Sequence, residues 1–391
     1  MTTVEDRASG FDYLRLTLAI CVALLPVVPL TYGLTLSVRT FDSIHMATPP
    51  RIILPMFFAL SGFLVAGSFD RSRTVTAFLG LRMIRIYPAL IVQTLLAALV
   101  LGPLLTAYSP GRYFSDPDFL RYTLNVTGII HFFLPGVFLT NPVPQIVDGP
   151  IWTITYELVC YVGLAILMPL GMRRWRIIAP ILAAVIMVSL ALVRPNYDQL
   201  IASFLWGVSL YLYRDLVPRS LLLFGVSIVL VVLALYVPQP CVWIFSPALA
   251  YATVYLGLLN PKRIFLVQGT DYSYVIFIYH FVIMQTIVRF MPNVWWLTLG
   301  LGFAITAVFA ALSWHLIEKR ALALGHRIRG ADRRPAAEAE QRLSGPELAV
   351  IRAAAVVVAV VVVGNATIQH MRHAASPGGM PYVDRPPHPN D

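Results

Sequence analysis

The chain has 391 residues, 58% of them hydrophobic and 12% charged, and its mean hydropathy is +0.75; a soluble fold of this length carries about twice that share of charge, so the composition describes a membrane protein. Its 24 glycines and 29 prolines are scattered without period through apolar runs of about twenty residues, which excludes collagen-like and low-complexity chains as well as the short alternating strands of an outer-membrane barrel. The net charge of +10 does not point to nucleic acid: the basic residues are nearly all Arg, with Lys262 and Lys319 the exceptions, and they sit in short stretches between apolar runs, the pattern that sets membrane topology.

Apolar runs of about 15 to 23 residues predict an all-α integral membrane bundle with spans near 13–32, 52–69, 86–107, 151–170, 177–193, 199–213, 220–237, 243–259, 272–291, 295–317 and 348–363. Asp12 and Arg15 flank the first run and Pro26 and Pro29 interrupt it, so it is not a cleavable signal, and Pro26 should kink it. The stretch Ile129 to Leu139 is too short to span and contains Pro135-Gly136, which predicts a partly buried loop element. With the N-terminus inside, the inner connections hold more than twice as many Arg and Lys as the outer ones, which predicts an N-in, C-out topology. The long outer stretches are then 33–51 and 108–150, where outward-facing function would gather. Residues 1–320 form the bundle, 321–347 a charged inner linker, 348–363 a further span, and 364–391 an outer tail whose Pro, Gly and Asp content predicts disorder. Cys21, Cys160 and Cys241 lie in or beside separate apolar segments without metal-ligand spacing, so neither a disulfide framework nor a metal site is expected.

Ionisable groups inside apolar spans are costly and usually face a cavity, which makes them the first functional candidates. Arg15 opens the first span, where the bland reading is a cationic side chain snorkelling to the inner edge. Glu157 lies in Trp152-Thr153-Ile154-Thr155-Tyr156-Glu157, and an acid there needs a tyrosine or arginine partner. His280 lies in Tyr279-His280-Phe281, where a hydrogen-bonded core histidine is the bland alternative. At 1.5 Å per residue across a core of about 30 Å, His280 falls roughly 12 Å and Glu157 about 21 Å above the inner face, both near mid-depth. Arg82 and Arg85 have i,i+3 spacing at the inner mouth of the third span, so both guanidiniums share a face as phosphate capture requires, although inner-side arginines often produce such pairs for topology alone. The stretch His315 to Lys319 reads as interfacial anchoring at the end of the tenth span.

Taken in order, several fragments resemble one family, the membrane acyltransferase family 3, integral O-acyltransferases of envelope and exported glycans. The matching pieces are Phe11-Asp12-Tyr13-Leu14-Arg15, Phe57 through Leu64, Arg82-Met83-Ile84-Arg85-Ile86-Tyr87-Pro88, Leu134 through Phe138, Trp152 through Glu157, Tyr272-Ser273-Tyr274 through Tyr279-His280-Phe281, and Leu316-Ile317-Glu318-Lys319. The resemblance implies ten core helices, with the run at 348–363 an appendage, in a multi-pass protein of the bacterial inner membrane. It implies transfer of an acyl group, usually acetyl, from cytosolic acyl-CoA to a saccharide hydroxyl on the outer side, with Arg82 and Arg85 near the donor's phosphates. Trp152, Tyr156 and Tyr279 are the aromatic candidates for contact with the acceptor. No metal and no nucleic acid enter this chemistry.

The family's signature is an Arg and a His separated by ten residues in the first helix, and eleven positions at 100° return within about 20° of one face after a rise of roughly 16 Å. Here the position eleven residues after Arg15 is Pro26, which accepts no proton, and Leu24, Leu25, Val27 and Val28 around it are equally inert. A general base is worth about 10² to 10⁴ in rate, or roughly 3 to 5 kcal/mol of barrier. Three readings follow. In the first, His280 or Glu157 takes the proton and Arg15 stabilises charge; in the second, the bundle binds its ligands as an inactive regulatory or binding partner; in the third, it transports an acyl group or glycan.

Overall fold

The structure is a computed structural model and describes residues 8–34, 50–193, 199–235, 245–264, 267 and 271–331. Among these residues the architecture is helical, with no strand beyond an isolated bridge between Phe133 and Ile146. The chain begins with α1 (Gly10–Leu24) and α2 (Val27–Tyr32), continues through α3 (Pro50–Arg71) and α4 (Val75–Leu96), and then forms the short α5 (Pro110–Ser115) and α6 (Pro117–Thr123). After a long loop come α7 (Trp152–Leu167), α8 (Ile178–Val193), α9 (Gln199–Leu212), α10 (Leu221–Ala234) and α11 (Ser246–Gly257). The last helices are α12 (Ser273–Phe290), α13 (Trp295–Ser313) and α14 (Lys319–Ala331).

Six helical stretches are long and apolar enough to cross a membrane: Gly10–Tyr32, Arg51–Arg71, Val75–Leu105, Trp152–Met172, Ser273–Phe290 and Trp295–Gly325. Apolar but shorter helices, α8, α9 and α10, fall in three further predicted spans. Large apolar side chains such as Leu99, Leu104, Leu170, Leu222 and Val229 stand exposed on the helices, as they should where lipid is the solvent. The predicted span 348–363, the tail 364–391 and Cys241 lie outside the described residues.

Three boundaries differ from the sequence expectation. The first span is two helices, broken beside Pro26, which has no N–H to continue the ladder. The third span starts at Val75 rather than 86, because the Thr74 hydroxyl caps it by accepting from the Ala77 amide and the apolar residues from Val75 to Leu81 are largely buried. Arg82 and Arg85 therefore lie inside a helix, about two and three turns beyond its start, and not at its mouth. The tenth span does not end near 317: a π turn, Trp314–Glu318, joins α13 to α14, so helix continues to Ala331 within the stretch expected as linker. That turn brings Glu318 inward, where it is 4% exposed and accepts a hydrogen bond from Ser313 at 2.8 Å, so the stretch from His315 to Lys319 is more than an interfacial anchor.

Close packing depends on glycine. At the crossing of α3 and α9, a Cβ on Gly62 would lie 2.0 Å from the Phe204 carbonyl oxygen, and one on Gly207 would lie 2.0 Å from that of Ala59, the small-residue approach by which membrane helices pack. Phe11 stacks on Phe63, whose other neighbour is the Tyr211 ring, so α1, α3 and α9 share one aromatic seam. The start of α1 is tied down by Gly10 donating to the Leu259 carbonyl at 2.8 Å and by the Tyr13 hydroxyl donating to that of Lys262 at 2.6 Å.

The segment between Leu124 and Ile151 is a buried loop, as the length and Pro-Gly content of 129–139 predict: Ile130, Phe132, Leu134, Val137 and Phe138 are all core residues. Gln285 of α12 holds it by donating to the Val143 and Ile146 carbonyls at 2.9 and 2.8 Å and accepting from Asn141 at 2.7 Å. Gln93 of α4 donates to the Asp148 carboxylate at 2.9 Å, and Thr106 donates to the Pro135 carbonyl at 2.7 Å. Gly136, at φ 67°, is crowded against Thr106 and Tyr108, where a side chain would not fit. The loop thus covers one end of the bundle. At the other end Arg173, Arg176 and Arg214 meet Asp70 and Asp215.

Candidate active site

The polar centre of the bundle is built from α1, α4, α7 and the start of α12. Arg15 and Val22 share one face of α1, since a step of seven residues returns within about 20°. Arg15 and Val22 line a cavity, and Pro26 is buried one turn farther along. Arg85 enters from α4 and Glu157 from α7, and both line the same cavity. Its other polar walls are Ser61, Thr153, Ser273 and Tyr274, and its apolar wall includes Phe57, Phe58 and Phe277. The cavity measures about 30 Å³, room for one or two waters.

Asp271, immediately before α12, organises the cations. One carboxylate oxygen, Oδ2, accepts from Arg15 Nη1 at 3.0 Å and from Arg85 Nη2 at 2.6 Å. The other, Oδ1, accepts from the Ser273 hydroxyl. Each guanidinium spends one nitrogen on this bridge and keeps further N–H donors. Glu157 accepts a hydrogen bond from the hydroxyl of Tyr161, one turn farther along α7, and the charges of Arg85 and Arg82 both act on it. Tyr274 donates to the Ile86 carbonyl at 2.8 Å, which holds the start of α12 against α4 beside the cavity.

Arg82 takes a different direction from Arg85. It donates to the Ser68 hydroxyl at 3.1 Å, and its guanidinium stands 5.8 Å from the centre of the Tyr161 ring. Both arginines thus turn into the bundle, but they do not form a joint fork for one phosphate.

Of the residues singled out in the sequence, the structure brings Arg15, Arg85 and Glu157 to one cavity. His280 is fully buried but is absent from the cavity wall: its Nδ1 lies 3.0 Å from the Ile276 carbonyl one turn back, and its Nε2 has no hydrogen-bond partner among the described residues. Tyr279 packs on Phe309 and Trp152 on Tyr156, and none of these three lines the cavity. Sequence reasoning missed Asp271, Tyr161 and Glu318. An acid next to the first turn of a helix reads as an ordinary N-terminal charge, and only the neighbouring Tyr272-Ser273-Tyr274 motif marked the position. Outside the membrane-spanning helices, Asp148 is fully buried and burial pushes its carboxyl well above the usual carboxylate range.

A family model described as an acyltransferase domain matches residues 9–315. The chain is 28% identical over 306 residues to an O-acetyl transferase of Shigella phage Sf6, covering 69% of this chain and 84% of the relative. It is 26% identical over 300 residues to nodulation protein 10 of Rhizobium leguminosarum bv. viciae, covering 69% of this chain and 81% of that protein. No solved structure matches.

Proposed function

The chain belongs to the membrane acyltransferase family 3, and from that premise we propose that it is an O-acyltransferase moving an acyl group, acetyl in the first instance, from cytosolic acyl-CoA to a hydroxyl of a saccharide outside the bilayer. The phage relative's name, O-acetyl transferase, supports the acetyl group. The excess of Arg on the inner connections supports the arginine-rich end as the cytosolic one. In this reading the protein is a multi-pass component of the bacterial inner membrane with ten core helices and an eleventh at 348–363.

The observation that carries the proposal is the meeting of Arg15, Arg85 and Glu157 in one interior cavity. Glu157 is the base: it takes the proton of the acceptor hydroxyl as that oxygen bonds to the acyl carbon, and returns it to the thiolate sulfur when the carbon–sulfur bond breaks. Arg15 faces the charge that builds on the acyl carbonyl oxygen. Pro26 contributes no proton transfer, and its place is taken by a carboxylate from a different helix.

The depth of the site limits the role of the arginine pair. Arg85 shares a cavity with Glu157, whereas an extended pantetheine arm separates the thioester from the diphosphate by about three helical turns, roughly 16 Å. Arg85 therefore acts near the reacting carbonyl. Arg82, three residues nearer the arginine-rich end, lies along the donor's approach.

The test is purified full-length protein reconstituted in sealed liposomes, given labelled acetyl-CoA on one side and a saccharide mixture on the other. Alkali-labile label on the saccharide, with equimolar release of CoA thiol, is the expected result. CoA that binds without thiol release refutes transfer, and no binding refutes the donor.

A further inference from the structure

We infer that Asp271 is a positioning residue for this reaction: its carboxylate orders Arg15 and Arg85 into a two-guanidinium clamp for the carbonyl oxygen of the donor. The inference rests on the acyl-transfer reading above and adds a role for a residue that does not itself line the cavity.

The geometry separates this role from that of a simple surface ion pair. Arg15 and Arg85 arrive from α1 and α4, and a single oxygen, Asp271 Oδ2, accepts from both at 3.0 and 2.6 Å. The carboxylate is itself fixed, because Oδ1 accepts from Ser273 in the first turn of the next helix. Three helices are thereby registered on one group. Without it, two like charges on neighbouring helices would repel and the long side chains would sample other rotamers.

The charge count agrees. Two guanidiniums less one carboxylate leave one net positive charge, which matches one developing oxyanion. Each guanidinium keeps N–H donors beyond the bridge, and both side chains line the cavity that holds Glu157. Donors held in place before the reaction stabilise developing charge without a reorganisation cost, which is where ordering by Asp271 would be felt. A carboxylate placed only to hold the donor would change affinity; one that orders the clamp changes turnover.

The experiment is steady-state acetyl transfer by full-length protein carrying Asp271→Asn, Arg15→Gln, or both. Asp271→Asn keeps the side chain's size and removes its charge. Its kcat is expected to fall on the order of tenfold to a hundredfold, with the KM for acetyl-CoA within about threefold of wild type. Because Asp271 acts in part through Arg15, the loss in the double variant is expected to be smaller than the product of the two single losses. Asp271→Glu retains the charge and should turn over faster than Asp271→Asn, and it serves as a second test where the Asn variant is poorly folded. Unchanged kcat in Asp271→Asn, a loss confined to KM, or independent multiplicative losses in the double variant would each overturn the clamp while leaving acyl transfer standing. Absence of transfer by the wild-type protein would overturn the acyl-transfer reading and the clamp together.

Discussion

The crossing of α3 and α9 is where a single methyl group should matter most. A Cβ at Gly62 would stand 2.0 Å from the Phe204 carbonyl oxygen, whereas ordinary contact begins at 3.4 Å, so Gly62→Ala requires about 1.4 Å of separation along that line. The obstacle is backbone within a helix and cannot swing aside as a side-chain tip would. Overpacking of this kind costs about 1–3 kcal/mol; with the upper end appropriate here and about 1 kcal/mol returned by alanine's helix propensity, the net loss is about 2 kcal/mol. Gly207→Ala, facing the Ala59 carbonyl oxygen at the same 2.0 Å, should cost a similar amount. One separation of the helices relieves both clashes, so the double variant should lose clearly less than the sum. The assay is the unfolding midpoint of detergent-purified protein followed by tryptophan fluorescence. Gly300→Ala, whose Cβ would meet nothing within 4 Å, is the control and should match or exceed wild type. Phe57, Phe58 and Ser61 sit on α3 and line the cavity, so transfer activity should fall with the midpoint in Gly62→Ala. A Gly62→Ala protein as stable as wild type, or strictly additive losses in the pair, would refute this account of the crossing.

Other consequences follow from the site. Glu157→Gln should lower kcat by about 10² to 10⁴ with little change in the KM for acetyl-CoA; a loss under threefold would remove Glu157 from the role of base. Pro26 is buried one turn beyond Val22, which lines the cavity, so Pro26→His in the Glu157→Gln background should recover at least tenfold in transfer, measured as ester formed per enzyme, whereas a flat result would place Pro26 outside the reacting centre. His280→Ala should leave kcat within about threefold of wild type, because its ring is bonded back to Ile276 and is absent from the cavity wall; a hundredfold loss would restore it as the base. Asp148 binds its proton more tightly in the folded chain than in the unfolded one, since burial raises its carboxyl above the ordinary value of 3.8. Its contribution to stability is therefore complete below that value and is lost as pH rises toward the folded-state value. Asp148→Asn should flatten the fall of the unfolding midpoint with rising pH, and parallel curves for variant and wild type would contradict the assignment.

Much of the bundle was legible because the signals are local. Run length located helices in ten of the predicted spans, and Pro26 marked the break in the first. The Pro135-Gly136 segment read as a buried loop for the same reason: eleven residues do not cross a bilayer. The errors have equally local causes. The uninterrupted apolar run of the third span begins only after Arg82 and Arg85, whereas the Thr74 cap starts the helix well before them. The stretch from His315 to Lys319 reads as interfacial in sequence, whereas the π turn at Trp314–Glu318 ends with Glu318 buried against Ser313.

Composition and the length of the apolar runs by themselves determined that this chain is helical and suited to a membrane, because the cost of exposing backbone to hydrocarbon acts on each segment separately, and the order of short motifs carried its resemblance to acyltransferases. Only the tertiary structure decided which charges meet. Arg15 and Asp271 are 256 residues apart and Arg85 and Asp271 are 186 apart, yet they share one oxygen, while His280, equally suspicious in sequence, turns back on its own helix. A buried charge is paid for by whatever stands within a few ångströms of it, and that neighbour is set by how the helices pack.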